Sequence, residues 1–525
     1  MNSNNEKVTA VQNNPLLWFG AMVALLFYLY LGTGFHSDDY NFLNFTKFWT
    51  LWDTLTFYNK TPHIYLLFFP TIYLDVTQIY FFDHREEWYD IAKITISLFA
   101  IYSAWLFSSQ YIEKQRAFLF SLFFVLYPLH DAANYWFVGT YILLTGAWVM
   151  LAHVYINKKR NFIGVFLGFI GAFWSYASPA LVGGLSLTFL LTKEYKKFIL
   201  FIIPEGIYIF YYVGLTKLFG ISGFRTKDIS SITNLGKQLV LQVGSFVDSA
   251  IGPSLWLKIY YSVLSLTWIS FVVASLVALF CWKLYSKNKP SFNKPLLIAF
   301  TGVALCGFLM YAVTGRYPQI AFNLGNRVTY FGSLLLSLLI VSIPWKKSIA
   351  IVIFFTMAMS ITGISEHWKD WNQQQHRVIE NVRTNSELKY LRPGDILWVS
   401  GNQYSHLGSL SHIEFFSESD QVKNIFSFAL NENINYSISS LNHRYRWENG
   451  VIKDIKYGDN FKVGSEITIY DSENNKLMKI PGAEINTYID DLPPEHRHWI
   501  QLVSQGWIRN VIIYLMPSLE YMFHP

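Results

Sequence analysis

The chain has 525 residues, of which 52% are hydrophobic, 18% aromatic and only 14% charged. A soluble globular protein carries roughly 25% charged residues, so this composition excludes an ordinary soluble enzyme and indicates a membrane protein. The formal net charge is +6, but the basic residues fall in short clusters between apolar stretches rather than on one patch or helix face. We therefore expect no nucleic acid among the partners.

Apolar runs long enough to cross a membrane follow one another along the first two-thirds of the chain. A hydrocarbon core of roughly 30 Å needs about 20 helical residues, and shorter helices suffice inside a bundle. The pattern predicts about eleven transmembrane helices. Their residues are 16–34, 89–112, 117–130, 137–156, 161–176, 180–192, 198–216, 259–282, 295–313, 328–344 and 348–364. The predicted fold is thus an all-α polytopic membrane bundle.

Short basic clusters give this bundle an orientation, because cytoplasmic loops carry an excess of lysine and arginine. With the N-terminus inside, these clusters all fall in cytoplasmic loops. They are Lys114 and Arg116; Lys158, Lys159 and Arg160; Lys193, Lys196 and Lys197; Lys283, Lys287, Lys289 and Lys294; and Lys346 and Lys347. The apolar segment Ile64 to Phe82 would invert this pattern if it spanned the membrane, so we place it outside. Two long outer loops result, 35–88 and 217–258.

The sequence changes character after residue 364. A polar helical stretch starting at Glu366 is followed by the turn sequence Arg392-Pro393-Gly394-Asp395 and by the strand-like letters ILWVSG. Later runs such as SEITIYD and KLMKI alternate as strands do. We therefore predict a transmembrane domain over residues 1–364 and a small mixed α/β extracytoplasmic domain over 365–525, whose last apolar stretch, WIRNVIIYLMPSLEYMF, is expected to be an interfacial helix.

Two groups of acidic residues follow predicted helices on the outer face. Asp38 and Asp39 lie in HSDDYNFLNF, directly after the first helix, and His130 and Asp131 end the third. Acids at a helix end often mark only the water boundary, and a His-Asp pair in a loop is more often hydrogen-bonded structure than chemistry. Together, however, they suit sugar transfer from a phosphate, which needs a carboxylate to take the proton of the attacking hydroxyl.

The departing phosphate in such a reaction needs positive charge beside it. Arg316 and Arg327 interrupt the pattern of outer loops that are nearly free of basic residues, so we assign them to the phosphate, with interfacial snorkelling as the simpler alternative. Arg225 and Lys227, in a long outer loop, are the second choice. Near the first-loop acids, His63 and Tyr40 are candidate contacts to the sugar or to the acids.

This arrangement resembles the GT-C superfamily of membrane glycosyltransferases, whose members have an acidic pair just after the first helix and a second acid in the next outer loop. Asp38 and Asp39 match the pair, and Asp131 matches the second acid. The resemblance implies a polyprenyl-phosphate or polyprenyl-diphosphate sugar donor, an acidic general base and inversion at the anomeric carbon. It also leaves open a divalent metal, Mg or Mn, for which Asp38, Asp131 and His130 would be the ligands.

The function expected from the sequence is transfer of a sugar to a hydroxyl of a glycan, lipid or protein on the outer face of a bacterial inner membrane. Three alternatives stay open: a transporter or flippase without enzymatic activity, a ligase or polymerase of lipid-linked glycans, and a receptor whose C-terminal part binds glycan without turnover. Transporters place polar residues near the midplane and often contain internal repeats, whereas the acids of this chain cluster on one face and no repeat is detectable.

Overall fold

The computed structural model describes residues 15–53, 72–218, 232–285, 293–315, 317–455, 460–503 and 506–515. The chain divides into two compact units. The helical unit comprises Met1–Gly34, Trp52–Ala321 and Gly325–His367, and the sheet unit comprises Phe35–Leu51, Phe322–Leu324 and Trp368–Pro525. The predicted domain boundary between residues 364 and 365 stays a prediction.

The helical unit consists of helices joined by short turns. Its α-helices are α1 (Pro15–Tyr30), α3 (Ile72–Phe82), α4 (Glu86–Ser108), α5 (Lys114–Val125), α6 (Ala132–Tyr135), α7 (Tyr141–Asn157), α8 (Asn161–Trp174), α9 (Ser178–Leu191), α10 (Tyr195–Leu218), α11 (Ile232–Ile251), α12 (Pro253–Leu264), α13 (Trp268–Tyr285), α14 (Lys294–Thr314), α15 (Tyr330–Ser342) and the first part of α16 (Lys347–Thr384). Two 3-10 turns, Pro128–His130 and Leu324–Thr329, carry predicted site residues.

Among the described residues, seven helices are long and apolar enough to cross a membrane. They are Glu86–Ser108, Phe137–Asn157, Tyr195–Gly214, Trp268–Tyr285, Lys294–Thr314, Leu324–Ser342 and Lys347–Thr384. Three shorter apolar helices accompany them, Leu17–Tyr30, Asn161–Trp174 and Ser178–Leu191. The chain is therefore mostly helical and membrane-embedded, as expected, while the number of eleven spans stays a prediction.

Two predicted spans have a different local structure from the one expected. The span predicted at 259–282 is divided between α12, which ends at Leu264, and α13, which begins at Trp268. Between them, the hydroxyl oxygen of Thr267 accepts from the backbone N–H of Ser270 at 3.2 Å and so caps the start of α13. A hydropathy pattern contains no information on such a local cap. The span predicted at 117–130 is the short helix α5, followed by the 3-10 turn Pro128–His130.

Small residues allow the helices of this unit to approach closely. A Cβ atom on Gly184 of α9 would lie 2.2 Å from the backbone nitrogen of Val303 in α14, and one on Gly302 would lie 3.2 Å from the Cα of Gly184. Close contact through small residues is the usual way in which helices associate in lipid, because lipid tails are as apolar as leucine. The α9–α14 contact is thus part of the packing that stabilises the bundle.

The sheet unit contains the predicted mixed α/β structure. Its strands are β1 (Ile396–Ser400), β2 (Tyr404–Leu407), β3 (Leu410–Glu414), β4 (Ser437–Ser440), β5 (Tyr445–Glu448), β6 (Val451–Asp454), β7 (Asn460–Lys462), β8 (Glu466–Asp471) and β9 (Lys476–Pro481). Its helices are α2 (Asp39–Phe48), the last part of α16, α17 (Ser419–Leu430), α18 (Ile485–Asp490) and α19 (Trp507–Leu515). The main sheet has the order β4-β1-β8-β9, in which only β9 is antiparallel.

The strands predicted from ILWVSG, SEITIYD and KLMKI are β1, β8 and β9. The turn before β1 also forms, with Gly394 at a φ of 97° and the Arg392 backbone N–H donating to the Asp395 carboxylate at 2.6 Å. In the centre of the sheet, Trp398 of β1 pairs with Ser439 on one side and Ile469 on the other. Trp398 and Ile469 are both fully buried and begin the core of this unit.

Candidate functional site

Asp131 follows the 3-10 turn Pro128–His130 and is only 2% exposed. The Lys258 ammonium, from α12, donates to its carboxylate at 2.5 Å, and the Asn326 side chain donates to the same oxygen at 2.5 Å. Lys258 is itself fully buried and also donates to the carbonyl of Ala321. Asp131 is therefore half of a buried ion pair, and removal of one partner alone would leave an uncompensated charge.

Beside Asp131 lies a cavity lined by Leu126, Pro128, Asn134, Tyr135 and two isoleucines of α16. Its volume of about 10 Å³ holds at most one water molecule. This cavity beside Asp131 is therefore the size of a water molecule and not of a substrate. The ion pair fits a carboxylate that holds other groups in place.

His130 is completely buried and is hydrogen-bonded at both ring nitrogens. Nε2 lies 3.1 Å from the carbonyl oxygen of Val125, which can only accept, so Nε2 carries the proton. Nδ1 lies 3.0 Å from the hydroxyl of Ser333. These bonds tie the turn Pro128–His130 to α5 and α15, which matches the simpler reading of a hydrogen-bonded structural histidine.

Arg327 lies in the 3-10 turn Leu324–Thr329, at the start of an apolar span. Its guanidinium carbon is 4.9 Å from the ring centre of Trp136 and 5.4 Å from that of Tyr317. Its chain neighbour Asn326 donates to Asp131 and accepts from the backbone N–H of Ala132 at 3.1 Å. The hydrogen bond from Asn326 to Asp131 therefore joins the segment that contains Arg327 to the segment that contains Asp131. Asn326 and Asp131 are 195 positions apart in the sequence.

A second buried ion pair, between Asp90 and Lys93 of α4, was not predicted from the sequence. The two side chains are 3% and 0% exposed, and Lys93 Nζ lies 2.8 Å from Asp90 Oδ1. Asp90 accepts from the backbone N–H groups of Gly32 and Gly34 at 2.7 and 3.2 Å, and Lys93 donates to the hydroxyl of Thr33 at 2.7 Å. The pair therefore fixes the segment that follows α1.

A usable signal for these residues was present in the sequence. Asp90, Lys93 and Lys258 are ionisable residues in or beside predicted spans, where a charge is costly and normally has a partner. The pair Asp90–Lys93 also has the i, i+3 spacing that places two side chains on one helix face.

The first-loop residues belong to the sheet unit. The carboxylate of Asp39 accepts from the backbone N–H of His36 at 2.9 Å, where it closes the turn before α2, and the residue is 3% exposed. Tyr40 is 1% exposed and packs against the rings of Phe35, Phe415 and Phe428. Tyr40 is therefore a core residue here, whereas Asp38 is the more accessible acid of the pair.

The remaining candidates lie outside the described residues: His63, Arg225, Lys227 and Arg316. The predicted proximity of Asp38 to Asp131 also stays a prediction, because the two residues belong to different units. Within the described ranges, no group of three or more His, Cys, Asp or Glu side chains is arranged to hold a metal ion. Metal use therefore stays an open expectation from the resemblance alone.

Comparison with known proteins adds no further assignment. No family model, no curated protein and no solved structure matches the chain. The class that the fold defines is a membrane-embedded helical protein with a mixed α/β unit.

Proposed function

We propose that the chain is a membrane glycosyltransferase that moves a sugar from a polyprenyl-phosphate or polyprenyl-diphosphate donor to a hydroxyl of a glycan, lipid or protein. The observation that supports this proposal best is the link between Asp131 and Arg327 through Asn326. Asp131 accepts a hydrogen bond from Asn326, the chain neighbour of Arg327, across 195 positions of sequence. We place the protein in a bacterial inner membrane, with its active site and sheet unit on the periplasmic side.

Arg327 is the proposed ligand of the donor phosphate. A guanidinium presents several N–H donors in a planar fork that matches a phosphate, and it is hydrated weakly enough to lie against aromatic rings. The rings of Trp136 and Tyr317 provide such a surface at the start of an apolar span, the position that a lipid phosphate head group would occupy. There the guanidinium would stabilise the charge that develops as the phosphate leaves.

Asp131 and Lys258 act as positioning residues in this proposal. Lys258 donates to the carbonyl of Ala321, and Asp131 accepts from Asn326. The ion pair is therefore hydrogen-bonded to both ends of the segment 321–326, which precedes Arg327 in the chain. A donor group held in place before the reaction costs no reorganisation while the reaction proceeds. The effect of Asp131 on turnover would therefore be exerted through Arg327.

The proposed step is a single displacement at the anomeric carbon, accompanied by one proton transfer. The oxygen of the acceptor hydroxyl attacks the anomeric carbon, its proton passes to a carboxylate, and the bond from the anomeric carbon to the phosphate oxygen breaks. Asp38 keeps the role of that base as a prediction from the sequence, and Asp39 is the second acid of the pair. Inversion at the anomeric carbon follows from this single displacement.

The proposal is tested by measuring turnover of short-chain isoprenoid-phosphate sugars by the purified protein. We expect Arg327→Ala to lower kcat on the order of a hundredfold, the usual effect of removing one donor to developing charge, and Arg327→Lys to lower it as well because the bidentate contact is lost. Arg383→Lys is the matched control, since Arg383 is about half exposed and pairs with Glu380 on a helix surface. Wild-type turnover in Arg327→Ala would contradict the assigned phosphate site.

The same preparation separates the alternatives. A transporter would move the lipid-linked sugar across a liposome membrane without releasing the lipid phosphate, whereas a transferase releases it in equal amount to the transferred sugar. A ligase or polymerase would accept a lipid-linked oligosaccharide but not a single lipid-linked sugar. Absence of sugar release from every donor by the wild type would contradict the proposed activity itself.

A further inference from the structure

The sheet unit contains a cleft next to the end of β1, where the chain turns from β1 into β2. The strand ILWVS ends at Ser400 and is followed by Gly401 and Asn402, which have φ angles of 75° and 45°. Gly and Asn are the residues that adopt positive φ most readily, so the chain turns here into β2. The turn leaves a depression between β2 and the sheet-unit part of α16.

The volume of this cleft is about 160 Å³. A cavity of roughly 150 Å³ accommodates a six-membered ring such as benzene. The cleft is therefore large enough for one ring of that size and too small for a nucleotide or a folded peptide. Its occupant is a small group or one residue of a longer chain that continues outside the cleft.

The side chains that line the cleft combine aromatic rings with planar amides. Trp371 and Tyr404 are the aromatic residues, and Gln374, Gln403 and Asn442 are among the amides. The amides are ordered before any ligand binds, since Asn442 Nδ2 donates to Gln403 Oε1 at 2.6 Å and Gln403 Nε2 donates to the Leu441 carbonyl at 2.7 Å. A pocket with an apolar wall and a few fixed polar groups is the usual form of a small-molecule site.

Two buried polar atoms of the cleft residues have no hydrogen-bond partner. One is the indole Nε1 of Trp371, which can only donate, and the other is Nδ1 of His443. Nε2 of His443 lies 3.0 Å from the carbonyl of Leu492 and therefore carries the proton, which leaves Nδ1 as an acceptor. Buried polar groups without partners are rare in folded proteins, and a ligand that both donates and accepts would satisfy this pair.

The charges around the cleft favour a ligand without negative charge. Glu473 and Glu495 are among the lining residues, and no lysine or arginine is among the described residues that line it. Arg497 lies 3.5 Å from Glu495 and partly compensates it, while Glu473 is exposed at the rim. A phosphate or carboxylate ligand would meet these two acids, so an anion is disfavoured.

We propose that this cleft binds one neutral pyranose residue of a glycan. A sugar ring has the size of the cleft, presents C–H groups that suit the electron-rich face of an indole, and carries hydroxyls that both donate and accept. The inference does not depend on the transfer reaction, because it concerns a binding site whose residues all belong to the sheet unit. A protein of either enzymatic or non-enzymatic function could use it to hold a glycan.

Binding is measured by saturation-transfer difference NMR on the full chain in lipid nanodiscs, so that no sugar-based detergent competes. The probes are glucose, galactose, mannose, N-acetylglucosamine and N-acetylgalactosamine, with N-acetylneuraminic acid as the anionic comparison. We expect saturation transfer to at least one neutral sugar and a weaker or absent transfer to the anionic one. No signal from any neutral sugar, or an equal signal from N-acetylneuraminic acid, would overturn the proposal.

Variants locate the binding. Trp371→Ala should raise the Kd for the sugar at least tenfold. Trp371→Phe keeps an aromatic ring but loses the N–H, so it should raise the Kd by a smaller factor. Trp507→Ala, which removes a tryptophan that is 75% exposed on α19, is the matched control. Gln374→Ala provides a second reading at a half-buried position should the Trp371 variants fail to fold, with an expected threefold weakening or more. Unchanged affinity in a folded Trp371→Ala or Gln374→Ala protein would place the sugar elsewhere and refute the assignment.

Discussion

Replacement of Lys258 by methionine tests the role of the buried ion pair with Asp131. Methionine keeps the unbranched shape and approximate length of the lysine side chain but removes its charge. The two partners are 0% and 3% exposed and their charged atoms are 2.5 Å apart, so the Asp131 carboxylate would stay buried with only its hydrogen-bond donors. Removing one partner of such a pair costs about 3–5 kcal/mol.

The second half of the experiment separates loss of the charge pair from loss of packing. In the double variant Lys258→Met with Asp131→Asn, neither of these two positions carries a charge, and the asparagine carbonyl can still accept from Asn326. We therefore expect the double variant to be more stable than Lys258→Met, with a coupling energy of about 2 kcal/mol between the two sites. Lys346→Met, at an exposed position, is the control and should change stability by less than about 0.5 kcal/mol.

The assay is equilibrium unfolding of the purified protein in mixed micelles, followed by tryptophan fluorescence. A Lys258→Met protein as stable as the wild type would show that the pair contributes nothing. If the double variant loses as much free energy of unfolding as the two single variants lose together, the two charges do not interact. Either result would refute the reasoning that assigns Asp131 a positioning role.

The remaining predictions concern packing and pH. Gly184→Ala should destabilise the helical unit by about 1–3 kcal/mol, because the added Cβ would lie 2.2 Å from the backbone nitrogen of Val303. Gly206→Ala is the control and should not destabilise it, because its added Cβ would meet no neighbouring atom within 4 Å. Both effects are measured as changes in apparent Tm. Burial raises the pKa of Glu495, so the folded sheet unit binds that proton more tightly than the unfolded chain does. The resulting contribution to stability is complete below the ordinary glutamate pKa of about 4.3 and is lost as pH rises through the raised pKa. Unfolding of Glu495→Gln across this pH range should lack that part of the pH dependence, and an unchanged profile would contradict it.

The sequence allowed the membrane-embedded helical class and the sheet of the C-terminal part to be predicted, because both depend on local patterns. Hydropathy over about 20 residues reflects the thickness of a bilayer, and alternation over a few residues indicates a strand. The break between α12 and α13, where the side chains of Thr267 and Ser270 bond to each other's backbone N–H groups, was missed. A window average contains no information on such a contact.

The candidate site was predicted less completely, since its contacts join distant parts of the chain. Asp131 and Arg327 were chosen as candidates by residue type and position, but Lys258 and Asn326, which bond to Asp131, were not. Nothing in the local sequence around Lys258 indicates that its partner lies 127 positions earlier. Tyr40 was a candidate contact to the sugar or to the acids because it follows two acids in the sequence, and its packing against distant aromatic residues is visible only in the structure.

The two buried ion pairs have different histories during synthesis of the chain. Asp90 and Lys93 lie one helical turn apart, so each has its partner as soon as α4 forms. Asp131 has no ion-pair partner until Lys258 has been translated, 127 residues later. At roughly 5–20 residues per second, this takes about 6–25 s. For that interval the turn after α5 carries a carboxylate whose counter-ion does not yet exist, and it can reach its final buried position only after α12 has left the ribosome.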